Sequence, residues 1–158
     1  MAGRWPPTPP SRLIEQARRG LAVTPTERGY RRGLALTMPR YARALTQRDR
    51  LIGALESFLG QWDFWFCPVT AGPAFTHRPE GTAIEVDSQR VPYQAGLIAH
   101  TCPFNLSGHP VVVMPLAQSA QGLPIGVQLV GRRWRDRALL NMAKQVSEVT
   151  GPFRAPPG

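Results

Sequence analysis

Apolar residues along this chain follow two different periods. Between Tyr30 and Leu59 they recur every three, four or seven positions, at Tyr30, Leu34, Tyr41, Leu45, Ile52, Leu55 and Leu59. That spacing predicts one apolar stripe on a helix. Thr24-Pro25-Thr26-Glu27 reads as the helix start. Thr24 accepts from the Glu27 amide, Glu27 reaches back to Thr24, and Pro25 occupies the first helical position, where no amide is missed. Pro39 is expected to kink or split the helix, and Gly60 to stop it. Upstream, Ser11 can cap a shorter helix through Arg19, carrying Leu13, Ile14 and Ala17 and ended by Gly20.

Beyond Gly60 the pattern changes. Trp62-Asp63-Phe64-Trp65-Phe66-Cys67 reads as a short aromatic strand ended by Pro68. Residues 70–92 are rich in Gly, Pro, Thr and charge without a clear period, and read as a long loop of the kind that often covers a site. Tyr93 to Thr101 is helix-compatible, with Pro103 as its stop. Val111-Val112-Val113-Met114 is an unbroken apolar run, as in a sheet covered on both faces. Its expected partner is Ile125 to Val130, with Ile125, Val127 and Leu129 facing one way and Gly126, Gln128 and Val130 the other. Asp136 is expected to cap a last helix with Leu139, Leu140, Ala143 and Val146 on one side, ended by Gly151-Pro152. There is no internal repeat.

Composition narrows the class. A chain of 158 residues with 42% hydrophobic content fits one globular domain. No run approaches the ~20 apolar residues of a membrane helix. The opening MAGRWPPTPP has no apolar core of a secretory signal and reads as a disordered tail. Without such a signal, Cys67 and Cys102 are expected to be reduced, buried thiols, and the location cytoplasmic. The net charge of +9 is uneven: residues 1–50 carry 11 Arg against Glu15, Glu27 and Asp49. A basic third of this kind can bind a polyanion. No aromatic-and-basic signature accompanies it, so it is read as a solvated helical surface. Nucleic acid and membrane are not expected partners.

One stretch is far more specific than the rest. Pro103-Phe104-Asn105-Leu106-Ser107-Gly108-His109-Pro110 is followed by Met114-Pro115, then by Gly122-Leu123-Pro124-Ile125-Gly126-Val127-Gln128-Leu129-Val130-Gly131, then by Leu139-Leu140 in a helix. Upstream stands Asp63-Phe64-Trp65-Phe66-Cys67-Pro68 after a helix. In this order the elements resemble the C-terminal part of amidase signature enzymes, over roughly residues 25–150. The resemblance implies an α/β fold with helices packed on a mixed β-sheet. The expected divisions are a tail at 1–10, a helical N-terminal segment at 11–60, a strand and helix part at 61–151 and a tail at 152–158.

Most of the matching residues are read as architecture. Gly108 and Gly122 permit backbone angles that other residues resist. Pro110 and Pro115 bracket the strand where no ladder amide is needed, and Pro124 belongs to the matching segment as a structural residue. Gly126 and Gly131 allow close approach to the sheet, and a buried Gln128 needs hydrogen-bond partners. Asn105 is expected to close a side-chain turn before the strand. His100, Thr101, Phe104 and Asn105, lying before that strand, are the candidates for lining a substrate pocket.

The resemblance also implies a chemistry. These enzymes hydrolyse a carboxamide with a Ser nucleophile, a second Ser in a cis peptide and a Lys base, without metal or cofactor. A hydroxyl must lose its proton as it attacks a poorly electrophilic amide, and preformed amide donors stabilise the oxyanion. Here there is no Ser-Ser or Gly-Gly pair, and the single Lys, Lys144, follows the hairpin instead of preceding the serines. No catalytic residue is assigned. The chain is therefore expected to be a C-terminal fragment, inactive alone and marginal or aggregation-prone without its partner. That partner is the missing catalytic N-terminal part or a homologous subunit, with a small amide as substrate of the intact enzyme. A piece like the glutaminase subunit of a tRNA-dependent amidotransferase is one alternative, and a non-catalytic interaction protein with a basic helical third is another. Cys102 with His100, Asn105 and His109 holds the residue types of a thiol hydrolase, but sequence closeness supplies no triad geometry. No zinc-ligand spacing appears.

Overall fold

The computed structural model describes residues 25–79 and 81–151. The predicted tails, the Ser11–Arg19 helix and the Thr24 half of the capping box lie outside them. The helical stripe becomes two helices, α1 (Pro25–Leu34) and α2 (Met38–Leu59). Pro39 does not kink a continuous helix: it stands in the first turn of α2, where its missing amide costs nothing. The break falls at residues 35–37. Gly60 follows the last helical residue with φ −63°, still right-handed, and the chain leaves through further turn bonds from Gln61 to Phe58 and Trp62 to Leu59.

Strand β1 (Trp65–Pro68) starts later than the aromatic run suggests, because Trp62 and Asp63 belong to that turn. The segment read as a long loop holds a hairpin, β2 (Ile84–Val86) and β3 (Gln89–Val91). Asp87 and Ser88 join the two strands with φ of 49° and 63°. Positive φ at both central residues is the turn whose twist matches paired strands. The alternation in Ile84-Glu85-Val86 and Gln89-Arg90-Val91 was the signal for it. Helix α3 (Tyr93–Ile98) follows, and Gly96 lies so close to the Ile84 side chain that a Cβ there would collide with it.

Pro103 does not merely stop α3. It opens a further helix, α4 (Cys102–Ser107), which places Asn105 in a helix instead of a side-chain turn. Gly108 ends α4 in the left-handed region at φ 72°, its amide donating to the Phe104 carbonyl. Strand β4 (Val111–Gln118) and strand β5 (Pro124–Val130) form the expected hairpin around the Ser119–Gly122 turn, with Gly122 at φ 77°. Helix α5 (Asp136–Thr150) is the last described element; Asp136 is its first residue, and no side chain caps it.

The main sheet has the order β1-β5-β4, and every pairing among the described strands is antiparallel. The register sorts the side chains. Val127 and Leu129 of β5 face α5, packing with Met114, Leu139 and Ala143. Val130 faces the other way, with Cys67, Leu59 of α2 and Phe104 of α4. Helices thus pack on both faces of β5, which among the described strands is the one with two neighbours in this sheet. Full burial of Leu59, Leu129 and Val130 contributes about 1.5–3 kcal/mol each. Coverage is incomplete over β4, where Val113 is 59% exposed.

Gly131 sits where β5 runs out beneath α5. Its amide donates to the Pro110 carbonyl, and a Cβ there would lie 3.2 Å from the Leu139 side chain. At Gly126 the same test meets only ordinary contacts of 3.6 Å and beyond, so no close approach requires that glycine. We expect Gly131→Val to lower the unfolding free energy by about 1–3 kcal/mol through overpacking, with Gly126→Ala well below that; denaturant titration of the two variants measures the difference.

Candidate functional site

The junction between α3 and α4 is fixed to the sheet by one side chain. Gln128 is 1% exposed in the middle of β5. Its Nε2 donates to the Pro68 carbonyl at the end of β1 and to the His100 carbonyl in the junction, both at 2.7 Å. His100 and Thr101 are consequently held over the sheet, half-buried, with the Thr101 hydroxyl donating to the Ile98 carbonyl. The four pocket candidates do not converge. Phe104 points into the core and meets the Trp65 ring edge-on at 5.7 Å. Asn105 is exposed and lines a groove of about 450 Å³ with Arg48, Ile52 and Arg133.

A second polar cluster lies on the α4 side, and it was not singled out from the sequence. Glu56 of α2 accepts from the Arg133 amide at 3.1 Å, and its other oxygen lies 3.8 Å from Arg132 Nε. His109, its side chain fully buried, places Nε2 3.3 Å from Glu56 Oε1 and Nδ1 2.8 Å from the Ser107 hydroxyl. The Nε2 contact has ion-pair distance without hydrogen-bond alignment. Glu56 stands among Ile52, Leu55 and Leu59 on the stripe that faces the core, and a carboxylate on such a stripe was the available signal.

Glutamate, imidazole and serine in contact have the composition of a nucleophile relay. Their burial argues against that use. Ser107 is 2% exposed, and its hydroxyl also lies 3.4 Å from the Phe104 carbonyl. A nucleophile has to reach a substrate carbonyl with oxyanion donors around it, whereas the nearby Gly108 amide is already bonded to Phe104. The cluster instead ties α2, the end of α4 and the segment after β5 together.

Burial lowers the His109 pKa from its ordinary 6.5, with Glu56 opposing and Arg133 reinforcing the shift. Burial likewise raises the Cys67 thiol, against a hydrogen bond with Gln128. Cys102 is exposed, contrary to the expectation of two buried thiols, and no hydrogen bond joins it to His100 or His109. The thiol-hydrolase grouping is therefore not assembled. Among the described residues no three His, Cys, Asp or Glu side chains cluster as a metal site, and no helix is long and apolar enough to cross a membrane.

The profile of the family described as Amidase matches residues 11–140. The chain belongs to this amidase family. It is similar to the 6-aminohexanoate-cyclic-dimer hydrolase of Paenarthrobacter ureafaciens, 44% identical over 50 residues that make up 32% of this chain and 10% of that protein. It is similar also to the A subunit of glutamyl-tRNA(Gln) amidotransferase from Cereibacter sphaeroides, 32% identical over 117 residues, 74% of this chain and 22% of that protein. A crystal structure of an amidase superposes with a TM-score of 0.72 at 28% identity, covering 88% of this chain and 33% of that one. The chain thus spans a tenth to a third of the length of these amidase relatives.

Gln128→Leu keeps the volume but leaves the Pro68 and His100 carbonyls without their donor, and is expected to cost about 2–4 kcal/mol in a denaturant titration. His109 is neutral-preferring when folded, so the folded state binds fewer protons than the unfolded one below pH 6.5. Stability is therefore expected to be flat above that pH and to fall as the pH drops through it. Thermal midpoints between pH 8 and pH 5 should show this fall, and His109→Gln should flatten it.

Proposed function

We propose that this chain serves as the C-terminal part of an amidase signature hydrolase, which cleaves a carboxamide C–N bond to an acid plus ammonia or an amine. The observation that carries the reading is the ordered set of family segments from Asp63 to Leu140, folded as a sheet with α5 on one face and α2 and α4 on the other. In that enzyme the role of this chain is to position. Gln128 holds the His100–Thr101 junction, and we assign that junction to the wall of the substrate cleft. The groove beside Asn105 is a separate one, lined by Arg48, Asp49 and Ile52 of α2 with Leu106 of α4 and Arg133.

The described serines support a division of labour. Ser107 is buried against His109, Ser119 accepts from the Gln121 and Leu123 amides in its turn, and Ser147 donates to the Lys144 carbonyl. Ser57 lies within α2 and Ser88 in the β2–β3 turn, and we assign the nucleophile, base and oxyanion hole to the family's upstream segment. The similarity to one component of an amidotransferase, over 74% of this chain, favours a second form of the reading in which the amide is glutamine and the complement is another protein of such an assembly.

Ammonia release from a panel of aliphatic, aromatic and glutamine carboxamides tests both forms. The 158-residue chain alone is expected to give no turnover above buffer, and co-expression with an amidase catalytic segment to restore it. Turnover by the chain alone, abolished by substitution of one of its own serines, would overturn the reading.

A further inference from the structure

The segment after β5 is dense in cations: Arg132-Arg133-Trp134-Arg135 follows Gly131. Arg132 approaches Glu56, and Arg135 precedes α5. Arg133 runs back toward the end of α4, its Nε 3.9 Å from where a Cβ on Gly108 would stand. That Nε is buried, and no acceptor among the described residues serves it. Glu56 is not its partner, because it accepts from the Arg133 backbone amide instead. The Trp134 ring covers one face of the guanidinium at 5.3 Å. Stacking of this kind fixes the plane of the fork and leaves its N–H edge for an acceptor. A buried donor without an acceptor is costly, the more so when charged, so this one calls for an acceptor from outside the chain.

The groove that Arg133 lines holds a second guanidinium. Arg48 of α2 donates from Nε and Nη2 to Asp49 Oδ1 at 3.2 and 3.0 Å, which leaves its Nη1 for another acceptor. Asn105 adds a side-chain amide, and Ile52 and Leu106 add apolar wall. Charge then selects the ligand. Two guanidinium groups against the Asp49 carboxylate leave one positive charge among the lining residues. A monoanion balances it, whereas a dianion is repelled by Asp49. The planar fork of an arginine matches a carboxylate through two parallel N–H···O bonds. At about 450 Å³ the groove has the size of a small-molecule site.

We propose that the groove between α2 and α4 binds a small organic monocarboxylate, its carboxylate held by Arg133 and Arg48 and its apolar end against Ile52 and Leu106. The site is distinct from the junction assigned to the substrate cleft, since neither His100 nor Thr101 lines it. A carboxylate is also the product class of the proposed hydrolysis. The orphan donor and the charge balance of the groove stand without that reading.

Calorimetric titration of the 158-residue chain in low-salt buffer near neutral pH tests the site, with sodium hexanoate, 1-hexanol and inorganic phosphate as probes. Hexanoate is expected to bind saturably and to raise the thermal midpoint, hexanol to do neither, and phosphate to bind at least about tenfold more weakly. Arg133→Met and Arg48→Met are each expected to weaken hexanoate at least about tenfold, while Arg137→Met, on α5, leaves its affinity unchanged. The Arg48 side chain is 41% exposed, so that variant spares the core, and circular dichroism of each variant checks the fold. Unchanged hexanoate affinity in both Arg48→Met and Arg133→Met would overturn the site. Equal affinity for phosphate would show an adventitious ion only, and equal affinity for hexanol an apolar wall acting alone; either would overturn the carboxylate assignment. No saturable hexanoate binding by the folded chain would overturn the proposal and leave Arg133 Nε to water. Each of these failures leaves the amidase reading untouched.

Discussion

A single carboxamide in the central strand constrains most of this structure. Gln128 has neighbours on both sides in the sheet, and its two N–H groups serve carbonyls on two other elements. Because side chains alternate along β5, a slip of one residue would turn Gln128 into the apolar layer under α5 and Leu129 out of it. The buried amide would then have no partners, at a cost comparable to a sizeable part of the stability of a small domain. Register, the end of β1 and the height of the α3–α4 junction are therefore one decision. Apolar packing on either face of β5 tolerates some error, but the pair of hydrogen bonds does not.

Period and punctuation along the chain already implied much of this. The 3.6-residue stripe, the Val111–Met114 run and the alternation around Gln128 correspond to α2, β4 and β5. Prolines were harder to interpret, since Pro39 and Pro103 each lie in the first turn of a new helix. A proline disfavours helix before it and permits helix after it, and both are seen here: the chain leaves helix at 35–37 and at 99–101, and a new helix starts around Pro39 and Pro103. The β2–β3 hairpin was hidden because its strands are three residues long and joined by Asp87-Ser88 instead of a glycine. Its alternating pattern is too short to rise above the surrounding Gly, Pro and Thr.

The site was legible in part. His100 and Thr101 stand at a rigid junction, which local sequence could suggest but not anchor, since the anchor is 28 residues away. Phe104 carries the same family segment and yet belongs to the core, because α4 turns its ring toward Val130 and Trp65. The Glu56–His109 cluster depends on three segments that meet only in the folded chain. Local order could show that a carboxylate interrupts an apolar stripe; it could not show which imidazole would answer it.

That cluster also explains why the familiar residue types need not imply chemistry here. A serine, a histidine and a glutamate in contact become a catalytic relay only when the hydroxyl opens onto a cavity with spare amide donors. In this fold the Ser107 hydroxyl faces a carbonyl already engaged by Gly108, and His109 is enclosed between α2 and the segment after β5. Moving Ser107 outward to attack a substrate would break the contact that holds His109. The burial that holds Ser107 and His109 in place also removes them from solvent, while Glu56 stays partly exposed at the rim.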